Sequence, residues 1–274
     1  MSADRITVGN VEIIALVDTA MHIPMAFFFP GRDPADFEPY RTLYPKSFGD
    51  GSLATQCGAY AIRSQGQTIL CDTGIGPGPI EMLGGITGRL LDDMREKGVP
   101  PEDVDIVALT HLHIDHVGHN LDPSGAPNFP NAKYIAPQAD WDFFTKALDT
   151  NPQMRQVMPL NDMNKLELIS GERSLTSEVT TYPTPGHTPG HTSLLISSAG
   201  EKAIVTGDLA HHPAQVDQID WCAIVDMDHA ATTETRRKVF AQMESDGLIA
   251  VFCHFPEPFG KLVRLEGKRV FQTL

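Results

Sequence analysis

Residues 110–119, with the sequence THLHIDHVGH, place four of the chain's 11 histidines and one aspartate within ten positions. Imidazole nitrogens and carboxylate oxygens are the groups with which proteins hold zinc, and manganese, iron, cobalt and nickel also accept them. His111 and His113 end the apolar run VDIVALT two residues apart, so on a strand both would project from one face. Asp115 and His116 follow in a predicted turn. The spacing therefore predicts one metal ion between the first two histidines and a second ion at the turn.

Three further candidate ligands occur later in the chain, each at the predicted end of a strand or in the turn that follows. TPGHTPGH places His187 in a Pro-Gly turn, IVTGD ends a strand at Asp208, and AVFCHF brings His254 near the end of another strand. The alternative for residues 110–119 is a histidine-rich solvated loop. Such a loop needs no partners elsewhere, so the distribution of ligands favours a shared metal centre.

The elements around these residues follow a mixed pattern of strands and helices. Alternation and turn signals predict strand pairs in RITVGNVEIIALVD and LATQCGAYAIRSQGQTILCDTG. Helical spacing of Ile86, Leu90, Leu91 and Met94 predicts a helix that stops at Gly98, and VDIVALT predicts a buried strand. Further strands are predicted at KYIAP, KLELI, VTTYPTP, TSLLISS, KAIVTGD and LIAVFCHF, with a helix near ATTETRRKVFAQMES and a final hairpin in LVRLEGKRVF. The order indicates an α/β protein, and we expect a single domain over residues 1–274.

The Pro-rich segment from Pro24 to Pro45 is predicted to be a long surface loop, a kind of loop that is often functional. It contains Phe27, Phe28 and Phe29, which either wall a pocket over the metals or pack the core. Three consecutive aromatic residues on an extended segment cannot all face inward. Trp221 presents the same pair of alternatives.

Composition narrows the classes of partner. The net charge is -14, and the sequence contains no basic stripe. Both features disfavour nucleic acid and other polyanions as partners. No run of eighteen uncharged apolar residues and no secretory signal is present, so we expect a soluble, cytoplasmic protein that does not enter membranes. Its four scattered cysteines predict reduced, buried thiols. Strand alternation would point Cys253 away from the face of His254.

The joint pattern HxHxDH, His, Asp, His resembles the metallo-β-lactamase superfamily over almost the whole chain. The resemblance implies an αββα sandwich of two mixed β-sheets flanked by helices. It implies a first metal on His111, His113 and His187, a second on Asp115, His116 and His254, and Asp208 as the bridge. It also matches Asp72, in CDTG, to an aspartate that orients a ligand histidine.

Differences within the superfamily narrow the reaction. Asp208 argues against β-lactamase activity, and His113 stands where flavin-dependent di-iron members carry glutamate. About twenty residues follow His254, too few for the helical substrate domain of glyoxalase II-like thioesterases. The chain is most similar to the lactonase and methyl-parathion-hydrolase branch. Acyl-homoserine lactonases of that branch usually carry tyrosine where this chain has His211.

The ligand set predicts a dinuclear, metal-dependent hydrolase that opens a lactone or cleaves a related ester by attack of a metal-bridging hydroxide. Two divalent ions, zinc first among them, are the expected cofactors, and a small-molecule lactone or ester is the expected partner; a homodimer is compatible. Asp115 could exchange a proton with the water, while His211 is either the proton donor to the leaving group or a structural histidine. His119 and His191 are expected to be structural. The alternatives are a phosphotriesterase, a glyoxalase II-like thioesterase and a non-catalytic metal-binding member of the fold.

Overall fold

The first of two β-sheets is built mainly from the amino-terminal half of the chain. The structure is a computed structural model that describes residues 4–274. In this sheet the strand order is β1-β2-β4-β5-β6-β7-β8, with β3 paired to β4. The pairs up to β4–β5 are antiparallel and those from β5 to β8 are parallel, so the sheet is mixed. Its strands are β1 (Arg5–Val8), β2 (Val11–Pro24), β3 (Phe48–Gly49), β4 (Ser52–Ser64), β5 (Gln67–Cys71), β6 (Ile106–Ala108), β7 (Lys133–Pro137) and β8 (Leu166–Ile169).

The second sheet has six strands in the order β14-β13-β12-β11-β10-β9. Only β11 and β12 pair in parallel, and a long helix connects them. The strands are β9 (Val179–Pro183), β10 (Thr192–Ser198), β11 (Glu201–Val205), β12 (Ile249–Val251), β13 (Phe259–Leu265) and β14 (Lys268–Thr273). The α-helices of the described chain are α1 (Met25–Phe28), α2 (Glu38–Arg41), α3 (Leu90–Glu96), α4 (Ile114–Val117), α5 (Gln138–Phe144), α6 (Met158–Asp162) and α7 (His229–Asp246).

Three apolar clusters hold these layers together. Neighbouring strand residues are buried on opposite faces: Ile13 lies in the cluster between the sheets, whereas Ile14 lies in the cluster under α3, α5 and α6. In the second sheet Val205 faces the first sheet, and Ile204 faces α7. A sheet covered on both faces loses the alternation of apolar and polar residues, which explains the continuous apolar runs in the sequence. The four layers confirm the predicted αββα sandwich.

The predicted hairpins are confirmed, but two neighbouring elements are shorter than expected. Gly9 and Asn10 turn β1 into β2, and Gln65 and Gly66, both at positive φ, turn β4 into β5. Helix α3 begins only at Leu90, because the glycines before it adopt loop conformations. Strand β6 ends at Ala108 rather than continuing to the first histidines.

The prediction of a surface loop from Pro24 to Pro45 was wrong. This segment contains α1, a 3₁₀ helix over Pro34–Phe37, and α2. It buries five apolar side chains against the second sheet and α7, because short helical turns bring its spaced aromatic residues to one side: Met25, Phe29, Phe37, Tyr40 and Tyr44. The segment is therefore part of the core and lies beside the strand ends described below.

Two smaller outcomes complete the fold. Cys57, Cys71 and Cys253 are buried free thiols as expected, but Cys222 is partly exposed, because it lies in the coil before α7 rather than on a strand. Within residues 4–274 no helix is both long and apolar enough to cross a membrane.

Candidate metal centre

The candidate ligands gather where several strands end. Strands β5 and β6 run in the same direction in the first sheet, and β9, β11 and β12 share one direction in the second. The segments that leave the carboxyl ends of these strands carry all seven predicted ligands. Grouping functional residues at the carboxyl ends of parallel strands is a general property of α/β folds. Here it joins residues up to 143 positions apart.

The first group of ligands consists of His111, His113 and His187. Nε2 of His111 lies 3.2 Å from Nδ1 of His113 and 3.2 Å from Nε2 of His187, and the last two atoms are 2.9 Å apart. Oδ2 of Asp208 is 3.2 Å from Nε2 of His187 and 3.7 Å from that of His111. Three ring nitrogens that converge at this spacing, with an oxygen beside them, fit the ligand shell of a metal ion.

His111 and His113 do not converge for the reason predicted from the sequence. Both lie in the loop after β6, whereas Asp115 and His116 lie on the one-turn helix α4 rather than in an irregular turn. The loop, rather than strand alternation, brings the two histidines together.

The second group consists of Asp115, His116 and His254. Oδ1 of Asp208 is 3.2 Å from Nε2 of His116 and 3.1 Å from Nε2 of His254. Oδ2 of Asp115 is 3.7 Å from both of these nitrogens. Oδ2 of Asp208 is also 3.2 Å from Nε2 of His254, so the carboxylate lies between the two groups and contacts nitrogens of both, as a carboxylate shared by two ions would.

The remaining ring nitrogens support a metal-binding role. Nδ1 of His116 contacts Oδ2 of Asp72 at 2.9 Å, Nδ1 of His187 contacts Oδ1 of Asp226 at 2.8 Å, and Nδ1 of His254 contacts the carbonyl of Gln56 at 2.7 Å. An acceptor at Nδ1 places the proton there and leaves the Nε2 lone pair free for a metal. Nε2 of His116 is buried and has no hydrogen-bond partner in the protein. The donor set thus fits two divalent cations.

Two buried carboxylates hold the ligand loops. Asp72 accepts hydrogen bonds from the backbone N–H and hydroxyl of Thr110, immediately before His111. Asp140, on α5, accepts from the backbone of Leu112 and from Gly190 and Thr188, which ties the loop of His113 to that of His187. The sequence motif identified the first of these. Asp140 belongs to no motif, and only its place on the first turn of a helix beside β7 could have drawn attention to it.

His211 and Cys253 adjoin Asp208. Nε2 of His211 is 3.2 Å from Oδ2 of Asp208, its Nδ1 is buried without a partner, and its ring stacks on His254 at 5.2 Å. Cys253 Sγ lies 3.1 Å from Oδ1 of Asp208. The prediction that Cys253 faces away from the site of His254 was wrong, because β12 ends at Val251 and strand alternation does not reach the pair.

His191 and His119 lie outside both ligand groups. Nε2 of His191 accepts a hydrogen bond from the backbone N–H of Asp208 at 2.9 Å, and its Nδ1 donates to the carbonyl of Thr184. His119 pairs with Asp18 at 3.0 Å. Both rings are hydrogen-bonded within the protein, as expected for structural histidines.

Burial and charge act in opposite directions on the groups of the centre. Burial raises the pKa of Asp208, but the surrounding histidines, His116 foremost, outweigh it and hold that pKa well below its usual range. Burial and the neighbouring His187 lower the pKa of His113 to about 3. Asp208 outweighs burial at His116, His187 and His254 and raises the pKa of each, that of His187 to about 9, so metal binding at these rings would displace a proton.

Aromatic rings flank the centre on two sides. Phe28 packs edge-on against His211 with ring centres 5.3 Å apart, and Phe144 packs against His113 at 5.7 Å. Phe29 is fully buried and contacts Trp221, whereas Phe27 is 61% exposed. Of the three consecutive phenylalanines, only Phe28 thus adjoins the predicted site residues. The buried Trp221 packs on the aromatic residues of the segment before β3.

Comparison with known proteins identifies the class of this fold and site. The model of the metallo-β-lactamase superfamily matches residues 53–254, a range that includes all seven predicted ligands. The chain belongs to this superfamily, and it is a metal-dependent hydrolase.

Individual relatives share less than a third of their aligned residues with this chain. The chain is 29% identical over 195 residues to an N-acyl homoserine lactonase of Bacillus sp.. The matched region is 65% of this chain and 72% of that protein. It is 27% identical over 154 residues to one of Bacillus thuringiensis, or 51% of this chain and 57% of the relative. Among solved structures, AidC, a dizinc quorum-quenching lactonase, has a TM-score of 0.83 at 25% identity, and the hydrolase AbOPH has 0.86 at 24%. Each covers 98% of this chain and 96% of its own.

Proposed function

We propose that this protein is a dinuclear zinc hydrolase that opens the ring of a lactone carrying an apolar substituent. The observation that carries the proposal is the position of Asp208, whose carboxylate lies between two groups of candidate ligands and is within 3.2 Å of ring nitrogens in both. The similarity to N-acyl homoserine lactonases and to a dizinc lactonase supports the choice of zinc and of a lactone.

Seven side chains would hold the ions. The first ion would be held by His111, His113 and His187, the second by Asp115, His116 and His254, and Asp208 would contact both. The chemistry that two zinc ions would supply there is a lowered pKa of a water molecule, polarisation of the substrate carbonyl and stabilisation of the leaving alkoxide.

The other steps fall to side chains around the centre. His211 is the candidate donor to the leaving alkoxide, because its ring lies against Asp208 and its Nδ1 has no partner in the protein. Asp115 is only partly buried, so it can pass a proton between the centre and solvent.

The surroundings favour a neutral substrate with an apolar part. Phe28 is partly exposed and packs beside His211, and small-molecule pockets are lined mainly by such apolar groups. A net charge of -14 does not concentrate polyanions. Esters and phosphotriesters present the same polarisable oxygen and leaving alkoxide, so they are the competing substrates to test.

A substrate panel tests the proposal. Zinc-loaded protein is assayed with N-acyl homoserine lactones, simple γ-lactones, aryl esters, thioesters, β-lactams and phosphotriesters at matched concentrations. We expect the highest kcat/KM with lactones that carry an acyl chain. Turnover of a phosphotriester or thioester without measurable lactone opening would contradict the assignment.

The proposed role of His211 predicts a dependence on the leaving group. His211→Gln should slow lactone opening by about 10²–10⁴-fold, the usual contribution of general acid–base catalysis. The same variant should hydrolyse 4-nitrophenyl esters nearly normally, because nitrophenolate leaves without a proton. His119→Gln is the matched control, a buried histidine outside the centre that should affect neither substrate. Equal losses on both substrates would remove the proton-donor role.

A further inference from the structure

One candidate metal ligand, His187, forms a hydrogen bond with a buried ion pair that belongs to no sequence motif. Oδ1 of Asp226 contacts Nδ1 of His187 at 2.8 Å, and Oδ2 accepts a hydrogen bond from Arg236 Nη2 at 3.1 Å. Oδ2 also accepts from the backbone N–H of Ala223 at 2.8 Å. Both oxygens of this buried carboxylate therefore have partners, and one of them is a candidate metal ligand.

Arg236, on α7, is the largest fully buried side chain of the described residues. Its Nε donates to the carbonyl of Leu209, next to Asp208, at 2.6 Å, and its Nη1 donates to the carbonyl of Trp221 at 2.9 Å. The planar guanidinium presents donors in a fixed fork, so these bonds fix both loops relative to the helix. A buried cation is costly without a counter-ion, and Asp226 supplies it.

The backbone strengthens the same connection. Met227 N–H donates to the carbonyl of His187, and Asp228 N–H donates to that of Gly186, both at 3.0 Å. The segment of Asp226 thus lies between α7 and the turn that carries His187. Movement of the carboxylate would move the imidazole ring with it.

We propose that Asp226 and Arg236 are positioning residues for the first metal ion: Asp226 holds the His187 ring so that Nε2 faces the centre, and Arg236 holds the carboxylate. This inference rests on the proposed metal centre and extends it beyond the ligands. Carboxylates that accept from a ligand histidine typically change metal affinity by about 10–100-fold when they are removed. The effect should be confined to one ion, because none of the second group of ligands touches this pair.

The chain contains a matched control. Asp18 is also a fully buried carboxylate that contacts a histidine, His119 Nε2, at 3.0 Å, and it accepts backbone hydrogen bonds from Ile75 and Leu90. His119 is not among the candidate ligands. Asp226→Asn and Asp18→Asn therefore make the same chemical change in two similar surroundings, only one of which includes a proposed ligand.

The test measures zinc binding rather than turnover. Metal-free wild-type, Asp226→Asn and Asp18→Asn proteins are titrated with zinc against a chromophoric chelator, and their melting temperatures are measured in parallel. We expect two zinc ions on the wild-type protein, one of them bound about 10–100-fold more weakly in Asp226→Asn, and wild-type affinities in Asp18→Asn. If Asp226→Asn does not fold, Arg236→Lys, which keeps the cation but loses the planar fork, replaces it. Because Arg236 also holds the carbonyl next to Asp208, this variant should weaken at least one zinc ion by the same factor, and two unchanged affinities would overturn the inference.

Three other results would contradict the proposal. Two unchanged zinc affinities in a folded Asp226→Asn protein, with or without a lower melting temperature, would overturn this inference alone. Equal weakening in Asp18→Asn would also overturn it, because the effect would then be general destabilisation. A wild-type protein that binds no zinc would overturn the proposed function, and this inference with it.

Discussion

Asp208 is the side chain on which the proposed metal centre depends most. Its oxygens lie 3.1–3.2 Å from nitrogens of three predicted ligands, on two sides of the carboxylate. An asparagine has the same outline but a weaker and uncharged ligand oxygen. In the proposed centre, replacing Asp208 would therefore change how the two ions are held.

Asp208→Ala should remain folded, as judged by circular dichroism, but should lose turnover. We expect a fall in kcat of at least about 10²-fold, the scale seen when a preorganised electrostatic group is removed. The measurement is kcat together with bound zinc by elemental analysis. Turnover similar to that of the wild-type protein at equal zinc occupancy would exclude Asp208 from the mechanism.

Single residues differed in how far the sequence could predict them. The spacing of His111, His113, Asp115 and His116 identified a ligand cluster because two ligands per ion fall within a few residues of chain. Asp226 was missed: it lies in coil after Trp221 and meets His187 only through the tertiary fold. No periodicity or motif encodes such a contact. The ligand assignments themselves stay predictions until metal binding is measured.

At the level of elements, α1 and the residue that caps its carboxyl end, Phe29, place three adjacent phenylalanines in three environments. Phe27 is 61% exposed, Phe28 contacts His211, and Phe29 is fully buried. A helical turn separates adjacent side chains by about 100°, so neighbours cannot share one face. The sequence prediction of an extended loop missed this, because short helices held by tertiary packing carry little periodicity.

Truncating each ring should therefore have a different effect. Phe29→Ala should lower the free energy of unfolding by about 3–5 kcal/mol and leave the folded protein kinetically normal. Phe28→Ala should cost about 1–3 kcal/mol in catalytic efficiency toward an acyl-chain lactone with little loss of stability. Phe27→Ala should change neither. Melting temperature and kcat/KM of the three variants decide the matter, and unchanged kcat/KM in Phe28→Ala would end its assignment as a pocket wall.

The short 3₁₀ helix Pro213–Val216 makes stability depend on pH. Its N-cap, His212, accepts a hydrogen bond from Ala214 N–H at Nδ1 and packs against Phe37 and Phe48. Burial lowers the pKa of His212 from 6.5 to about 3. As the pH falls from 7 to 5, the unfolded chain takes up a proton that the folded protein does not, so the contribution of this residue to the free energy of unfolding falls by about 2 kcal/mol.

His212→Asn isolates this effect, because asparagine can still cap the helix but does not titrate. The free energy of unfolding of both metal-free proteins is measured at each pH by urea titration. The wild-type protein should lose about 2 kcal/mol more than the variant between pH 7 and pH 5. The same loss in both proteins would show that His212 does not titrate as described.

For the whole molecule, the arrangement of the two sheets explains how distant residues meet. Strands with a common direction end at one edge, and the segments that follow them supply His111, His187, Asp208 and His254. Apolar runs and turn residues in the sequence predicted most strands, whereas the four layers were implied by the resemblance to the metallo-β-lactamase superfamily. The sequence did not predict that β6 ends three residues before His111, because strand ends depend on pairing with neighbouring strands. The single-domain organisation stays a prediction.

The overall charge yields another test. A protein with a net charge of -14 repels anions at low ionic strength, whereas a neutral lactone is not repelled by this charge. Raising the salt concentration to several times its physiological value shortens the screening length to a few ångströms, and kcat/KM for a neutral lactone should change by less than about twofold. A steep increase of kcat/KM with salt would indicate an anionic substrate instead.

The central claim is that two zinc ions bound to one chain open a lactone, and a stoichiometric titration tests it most directly. Metal-free protein is supplied with zinc in steps, and bound zinc and lactone hydrolysis are measured in the same samples. We predict that hydrolysis is absent without zinc and rises until two ions are bound per chain, where it reaches its maximum. Full activity at one bound ion, or lactone hydrolysis by the metal-free protein, would contradict the account.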